Sequence, residues 1–191
     1  FKCFIKMKAM NISIVAVCGM PGSGKGEFSR VVEKFKVPIF SMGDMVREEL
    51  RSRGLVETPE NVGYIAVDLR EKFGEGILAK RLVPYIENKF TENDLIIIEG
   101  IRGVAEYEVF KEQWNDKFKI LAIESDTEIR WNRIKIRGRG DDGDREAFDI
   151  RDLREKSWGL ERLLSLSDIQ IKNNSEIVDF EIEVQRWLNN R

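Results

Sequence analysis

Apolar and polar residues follow two different periods along this chain. Short, nearly continuous apolar runs predict strands buried on both faces of a sheet, at residues 12–18, 37–40, 95–98, 119–123 and 168–171. Between these runs, apolar residues recur every three or four positions, which is typical of amphipathic helices. We predict helices over residues 27–35, 43–53, 58–73, 77–90, 104–114, 127–137, 152–166 and 176–188. The alternation predicts an α/β fold, with a five-stranded parallel sheet and helices on both of its faces.

A glycine-rich loop joins the first predicted strand to the first predicted helix. Residues 19–25 read Gly-Met-Pro-Gly-Ser-Gly-Lys, which fits the phosphate-loop pattern G-x-x-x-x-G-K. A loop in this position turns backbone N–H groups and a helix N-terminus toward a phosphate, and its glycines allow the tight curl. The alternative is a chance glycine turn. We predict a three-layer P-loop NTPase fold whose nucleotide phosphates contact Gly19, Met20, Pro21, Gly22, Ser23, Gly24, Lys25 and Gly26.

The residue after the loop lysine bears on how a metal is held. Ser or Thr is usual there, and its hydroxyl binds Mg²⁺, but this chain has Gly26. We therefore expect Mg²⁺ to be held by water, by phosphate oxygens and by a carboxylate elsewhere. Glu99, at the carboxyl end of the strand at 95–98, is the candidate and would act through water, since strand ends of this kind face the ligand crevice. The alternative for Glu99 is a solvated acid.

Composition narrows the possible functions. The chain has 191 residues, which suits one domain, with residues 1–10 as a leader. A net charge of −2 argues against a nucleic-acid partner or a polybasic membrane anchor. Histidine is absent, so zinc and Ser-His chemistry are disfavoured. Cys3 and Cys18 form no metal pattern, and a reducing cytoplasm is the expected location.

The segment Ser-Met-Gly-Asp-Met-Val-Arg at residues 41–47 resembles the Ser-Thr-Gly-Asp-Met-Leu-Arg segment of adenylate kinases. Those enzymes also carry a Pro-Gly-Ser-Gly-Lys-Gly loop, which accounts for Gly26, although they usually have threonine where this chain has Glu27. The chain thus resembles nucleoside monophosphate kinases related to adenylate kinase. The resemblance implies an ATP- and Mg²⁺-dependent phosphotransferase with an acceptor-binding helical region at about 42–90.

The resemblance also implies which residues hold the acceptor. By residue-to-residue match these are Ser41, Gly43, Asp44 and Arg47, with Arg47 clamping the acceptor phosphate through its guanidinium. The alternative for Arg47 is a solvated arginine on a helix surface. The segment Glu-Gly-Ile-Arg at residues 99–102 resembles the family's Asp-Gly-Phe-Pro-Arg, one residue shorter, and implies that Arg102 is a second ligand of that phosphate.

An arginine-rich stretch at residues 130–154 resembles the kinase pattern of a helix that leads into a mobile lid. Arg133 and Arg137 match the family's Arg-x-x-x-Arg and are expected to close over the transferred phosphoryl group. The lid itself is expected at about 138–151, where it would exclude water. The alternative is that these arginines pair with nearby aspartates on a solvated helix face.

Residues 168–175 resemble the strand and asparagine loop of dephospho-coenzyme A kinases, which implies that Asn173 and Asn174 lie against the donor adenine. A plain helix-capping loop is equally consistent with the residues. The activity expected overall is transfer of the γ-phosphoryl group of ATP to a nucleoside monophosphate such as AMP. The alternatives are a dephospho-coenzyme A kinase-like enzyme, for which Asp44 is the available base, and a nucleotide-binding regulatory ATPase without an acceptor.

Overall fold

A parallel five-stranded sheet forms the centre of the protein. The computed structural model describes residues 12–138 and 143–191. Within these residues the strand order is β2-β3-β1-β4-β5, and every neighbouring pair is parallel. The strands are β1 Ser13–Cys18, β2 Ile39–Ser41, β3 Leu95–Glu99, β4 Phe118–Glu124 and β5 Ile169–Lys172.

Helices connect the strands and cover the sheet. They are α1 Lys25–Lys34, α2 Met42–Ser52, α3 Pro59–Phe73, α4 Ile77–Glu87, α5 Val104–Trp114, α6 Thr127–Arg137, α7 Arg145–Ser157, α8 Leu160–Ser165 and α9 Ile177–Asn190, with a 3₁₀ turn at Asn115–Lys117. In the described part of the chain, no helix combines the length and the apolar character needed to cross a bilayer.

The sheet separates two apolar cores because successive side chains of a strand point to opposite faces. Ile14, Ile96 and Ile98 belong to one core, which is closed by helices α2 to α5 and α8. Val15 and Ile97 belong to the other, which is closed by α1 and α9. Both faces of β1 and β3 are therefore buried, which explains why these strands read as continuous apolar runs.

The structure confirms the predicted α/β fold with its five strands and two helical layers. The helix predicted at 152–166 is wrong in its bounds. Helix α7 begins earlier, at Arg145, and a break at Gly159, whose φ is 96°, separates it from α8. Helix α4 ends at Glu87, before the predicted 90. The expected leader at 1–10 lies outside the described residues, and so do residues 139–142 of the expected lid.

Two glycines of α3 give a matched test of backbone conformation. Gly63 lies inside the helix, and Gly74 ends it with φ 91°. A Cβ added at either position would meet nothing within 4 Å. Gly63→Ala should raise the free energy of unfolding by about 0.5–1 kcal/mol. Gly74→Ala should lower it by about 1–3 kcal/mol, since alanine disfavours this conformation. Urea unfolding of both variants measures the difference, and equal effects would contradict the assigned backbone.

Candidate phosphate-binding site

The candidate site lies at the carboxyl edge of the sheet. In the register of the strands, Glu99 of β3 stands opposite Val17 of β1 on one side and Ser41 of β2 on the other. The glycine loop follows β1 directly, so the loop, Glu99 and Ser41 share this edge. In open parallel sheets, ligands bind in the crevice outside the carboxyl ends of the strands.

The glycine loop is curled so tightly that Gly22 and Gly24 leave no room for a side chain. Gly22 has φ 78° and Gly24 has φ 111°. A Cβ on Gly24 would lie 2.2 Å from Asn173 Nδ2, and one on Gly22 would lie 2.8 Å from the Arg130 carbonyl oxygen. Helix α1 starts directly after Gly24, whose carbonyl accepts from the Phe28 N–H at 2.9 Å. The amides before Phe28 therefore form an open helix N-terminus, which is a ready site for an anion.

Side chains from the loop itself and from elsewhere in the fold donate hydrogen bonds to the carbonyl groups of this loop. Arg130 Nη1 donates to the Pro21 carbonyl at 2.9 Å, and Asn173 Nδ2 donates to the Ser23 carbonyl at 2.8 Å. Lys25 Nζ donates to the carbonyls of Gly19 and Met20, the latter at 3.1 Å. With its carbonyls engaged, the loop can direct its N–H groups toward a ligand.

Arg130 is an internal anchor of the fold. It is 3% exposed, and its guanidinium forms a two-pronged ion pair with Asp152 of α7, with Nη1 at 2.9 Å from Oδ1. The same guanidinium lies 5.1 Å from the centre of the Phe148 ring. Because one group binds both Asp152 and Pro21, it links helix α7 to the phosphate loop.

The ammonium group of Lys25 is buried and is affected by several neighbouring charges. Burial is the main cause that lowers its pKa from the usual 10.5 to about 8. The positive charges of Arg102 and Arg151 contribute to this shift, and the negative charge of Glu155 opposes it. Charges of both signs therefore act on the loop lysine, and the two cationic groups favour binding of a phosphate.

Glu99 is tied to helix α1. Ser29 donates to the Glu99 carboxylate and also lies 3.2 Å from the Lys25 carbonyl oxygen. Burial raises the pKa of Glu99, and the charge of Glu33 raises it further. Among the described residues, no group of three or more His, Cys, Asp or Glu side chains could hold a metal ion. A single carboxylate beside the loop fits an ion held mainly by phosphate oxygens and water, as Mg²⁺ prefers.

Arg102 is held by three contacts near the loop. Its backbone N–H donates to Glu106 Oε2 at 2.8 Å, and its Nη1 donates to Glu155 Oε1 at 2.7 Å. The guanidinium also lies 5.6 Å from the centre of the Trp158 ring. Its side chain remains 45% exposed, so an anion can reach it.

The residues expected to hold an acceptor lie at the start of α2. Ser41 caps this helix by accepting from the Gly43 N–H at 3.2 Å. Arg47 donates to Asp44 Oδ1 at 3.0 Å and to Glu57 Oε1 at 2.9 Å, while 41% of its side chain stays exposed. Two carboxylates thus orient Arg47, and its role toward a phosphate stays a prediction.

Arg133 lies against the asparagine loop. It donates to the Asn173 carbonyl and side chain, each at 2.9 Å, to Ser125 Oγ at 3.2 Å and to the Ser175 carbonyl at 3.2 Å. Asn174 Oδ1 accepts from the Asp126 N–H at 2.9 Å. The asparagine loop therefore connects α6 to the phosphate loop. The N-cap residue of α9 is Glu176, and its side chain accepts no capping hydrogen bond. Closure of Arg133 over a phosphoryl group stays a prediction.

Two further predicted features have clear positions. Arg137 is the last residue of α6 and is followed by Gly138, the last described residue before the gap at 139–142. Glu27, which replaces the usual threonine, accepts from Arg30 Nε at 2.9 Å, and Arg30 also pairs with Glu181 of α9. The Glu27 carboxylate is thus neutralised by Arg30, and these contacts lower its pKa.

Glu155 is the site residue that sequence reasoning missed. Asp152 belongs to the aspartates expected to pair with arginines, and it does pair with Arg130, although in the interior and not on a solvated face. Asp152 and Glu155 are three positions apart on α7, both are buried, and they bind Arg130 and Arg102 respectively. Two carboxylates three positions apart lie on the same face of a helix, so their spacing was the one available signal that they act together. Their partners lie far away in the sequence, so the pairing itself depends on the fold.

Comparisons with known proteins show which family this chain is similar to. Residues 18–148 match the model of the family described as AAA domain. The chain is 39% identical over 180 residues to a UPF0200/UPF0201 protein of Archaeoglobus fulgidus, covering 94% of this chain but only 56% of that relative. It is 37% identical over 180 residues to a UPF0200 protein of Methanosarcina mazei, covering 94% of this chain and 95% of the relative.

Solved structures show the same fold at low identity. TT1252 from Thermus thermophilus aligns with a TM-score of 0.60 and 16% identity, covering 93% of this chain and 97% of that one. A shikimate kinase from Acinetobacter baumannii in complex with shikimate aligns with a TM-score of 0.55 and 13% identity, covering 94% and 93%. The predicted P-loop NTPase fold is thereby confirmed.

The protonation state of Lys25 gives a test of the site. Its pKa of about 8 means that the free lysine is mostly neutral at pH 9, whereas bound phosphates favour the charged form. ATP binding at pH 9 should therefore take up about one proton, and the affinity should fall as the pH rises above 8. Calorimetry in buffers of different ionisation enthalpy measures this uptake. Lys25→Arg stays charged and should take up none, so equal uptake by both proteins would refute the assignment.

Proposed function

We propose that this chain, which belongs to the UPF0200 family and carries an AAA domain over residues 18–148, is a nucleotide kinase. It transfers the γ-phosphoryl group of ATP to a small acceptor, a nucleoside monophosphate such as AMP. The observation that carries the proposal is a cluster of cationic side chains at the carboxyl edge of the sheet, where Lys25 ends the phosphate loop after β1 and the partly exposed Arg102 follows β3.

Phosphoryl transfer suits this kind of cluster. The reaction needs alignment of donor and acceptor and stabilisation of charge on the moving group, with little covalent work from the protein. Lys25 and the loop amides supply positive potential for the donor phosphates. Arg102 is preset by Glu155 at 2.7 Å and is partly exposed, so it can meet a second anion beside the first.

The donor enters a loop that is already shaped. On ATP binding, Lys25 leaves the carbonyls of Gly19 and Met20 for the β- and γ-phosphates, while Arg130 and Asn173 keep the rest of the loop in place. Mg²⁺, bound to the nucleotide phosphates and held near Glu99 through water, would neutralise part of their charge. Asn173 and Asn174 are proposed to lie against the donor base.

The acceptor enters from α2. Arg47 exchanges the carboxylate of Glu57 or Asp44 for the acceptor phosphate, and Ser41 and Gly43 fix the start of that helix. An acceptor phosphate is already ionised, so the reaction requires no general base, which fits a chain without histidine. Arg137, with Arg133 behind it, is proposed to follow the lid toward the transferred group.

A second candidate function is a nucleotide-dependent partner of another protein domain. The relative from Archaeoglobus fulgidus is named UPF0200/UPF0201, and this chain spans only 56% of it. That joined name favours a regulatory ATPase that works with a UPF0201 domain. Mixing this chain with the unmatched part of that relative should change ATP hydrolysis if the second function holds, and should leave it unchanged for a free-standing kinase.

A coupled phosphotransfer assay tests the kinase directly. With ATP and Mg²⁺, the protein should phosphorylate at least one acceptor among AMP, CMP, UMP, GMP, dAMP and dephospho-coenzyme A, with AMP expected first. Lys25→Met should lower turnover at least about 100-fold, because it removes a preorganised donor to the transferred group. Lys80→Met, which removes an exposed lysine of α4, serves as the control. Binding of ATP without transfer to any acceptor would instead support the regulatory function.

Arg47 gives a separate test of the acceptor side. Arg47→Ala should raise the KM for the acceptor by roughly 10- to 100-fold, since it removes charge-assisted hydrogen bonds to a phosphate. The KM for ATP should change little. Arg51→Ala removes an exposed arginine of the same helix and should leave both constants unchanged. A rise in the KM for ATP alone would place Arg47 on the donor side.

A further inference from the structure

Glu155 is a buried carboxylate in a site built to bind anions. It is 5% exposed and projects from α7 toward Arg102, whose Nη1 lies 2.7 Å from its Oε1. A negative charge beside a phosphate site is unfavourable for binding unless it serves another group there. We propose that Glu155 is a positioning residue, which holds Arg102 for an anion at the phosphate site and offsets the positive charge that surrounds Lys25.

The geometry of Arg102 supports the first part of this role. A partly exposed arginine would otherwise lose considerable side-chain entropy when it is fixed in one rotamer. Here Glu155 binds one end of the guanidinium, and the Trp158 ring lies 5.6 Å from its centre. Both groups come from the C-terminal end of α7, so the position of that helix sets the direction in which Arg102 points.

The surroundings of Lys25 support the second part. The titratable and charged groups around Lys25 are Cys18 of β1, Glu99 of β3, Arg102 after β3, and Arg151 and Glu155 of α7. The two arginines and the burial of the ammonium group all favour the neutral lysine. The charge of Glu155 opposes them, and burial of this carboxylate increases its effect because water screens it less.

Asp152 extends the same arrangement by one turn of α7. It is 8% exposed and holds Arg130, which in turn donates to the phosphate-loop carbonyl of Pro21. Through Arg130, Asp152 therefore helps to hold the conformation of the loop, whereas Glu155 acts on the charges of Arg102 and Lys25. The two carboxylates differ in function although they lie on one buried face.

Calorimetry of ATP binding between pH 6.5 and 9.5 tests the inference without any transfer step. The uptake due to Lys25 is the difference between each protein and its Lys25→Arg counterpart, which removes protons exchanged by the triphosphate itself. In Glu155→Gln this uptake should begin about one pH unit lower than in the unchanged protein. Glu161→Gln removes an exposed carboxylate of α8 that pairs with Lys156, and it should leave the onset unchanged.

A conservative variant separates positioning from structure. Glu155→Asp keeps the charge but shortens its reach to Arg102, so the onset of proton uptake should stay near that of the unchanged protein. Because the role at Arg102 rests on the proposed kinase function, the KM for the acceptor is read separately and should rise several-fold in this variant.

Three outcomes would overturn the inference. An unchanged onset of proton uptake in Glu155→Gln would exclude the effect on Lys25. Loss of transfer in Glu155→Gln with an unchanged onset would make Glu155 a general base instead. A fall in melting temperature without any change in onset or KM would leave only a structural role. Failure of the unchanged protein to transfer phosphate, with normal proton uptake, would count against the kinase and not against Glu155. If Glu155→Gln does not fold, the onsets of Glu155→Asp and Glu155→Asn are compared instead, since these two variants differ in charge but hardly in size. A lower onset in Glu155→Asn supports the inference, and equal onsets overturn it.

Discussion

The structure of the site depends on the hydrogen bonds that hold the carbonyl groups of the phosphate loop. A loop that binds an anion must direct its N–H groups inward, so its carbonyls need partners on the outside. Arg130 supplies one partner at Pro21, and Asn173 supplies another at Ser23. These donors come from α6 and from the loop after β5, so residues more than a hundred positions away shape the loop. Packing of the whole sheet is therefore a condition for binding one phosphate.

Helix α7 carries both the carboxylate that holds Arg130, the donor to the loop, and the carboxylate that holds Arg102. Asp152 holds Arg130, which donates to the loop, and Glu155 holds Arg102, which is proposed to bind the acceptor anion. A shift of α7 would move both pairs together, because the two carboxylates belong to one rigid face. The helix also begins inside the stretch 138–151 that was expected to form the lid, so its first turns belong to that stretch.

The sequence allowed the fold and the phosphate loop to be predicted because both depend on local signals. A buried strand, a glycine pattern and an amphipathic helix lie next to one another around Lys25, and each has a short-range cause. The break at Gly159 was missed because a continuous helical period crosses it, although its φ of 96° needs glycine. Pairing of the arginines with nearby aspartates was among the alternatives, but the burial of the Arg130–Asp152 pair and the contact of Arg133 with Asn173 could not be predicted, since both depend on the folded sheet.

The balance of charges in the site limits how it can work. Arg102 and Arg151 repel the charge of Lys25, and together with burial they lower the pKa of this lysine to about 8. Glu155 offsets part of this effect. In the proposed kinase, bound phosphates would take over the neutralising role at the lysine, and Arg102 would turn from its carboxylate to the acceptor anion. A site without Glu155 would attract phosphate more strongly, but the pKa of its lysine would lie lower still, so less of the lysine would be charged at neutral pH.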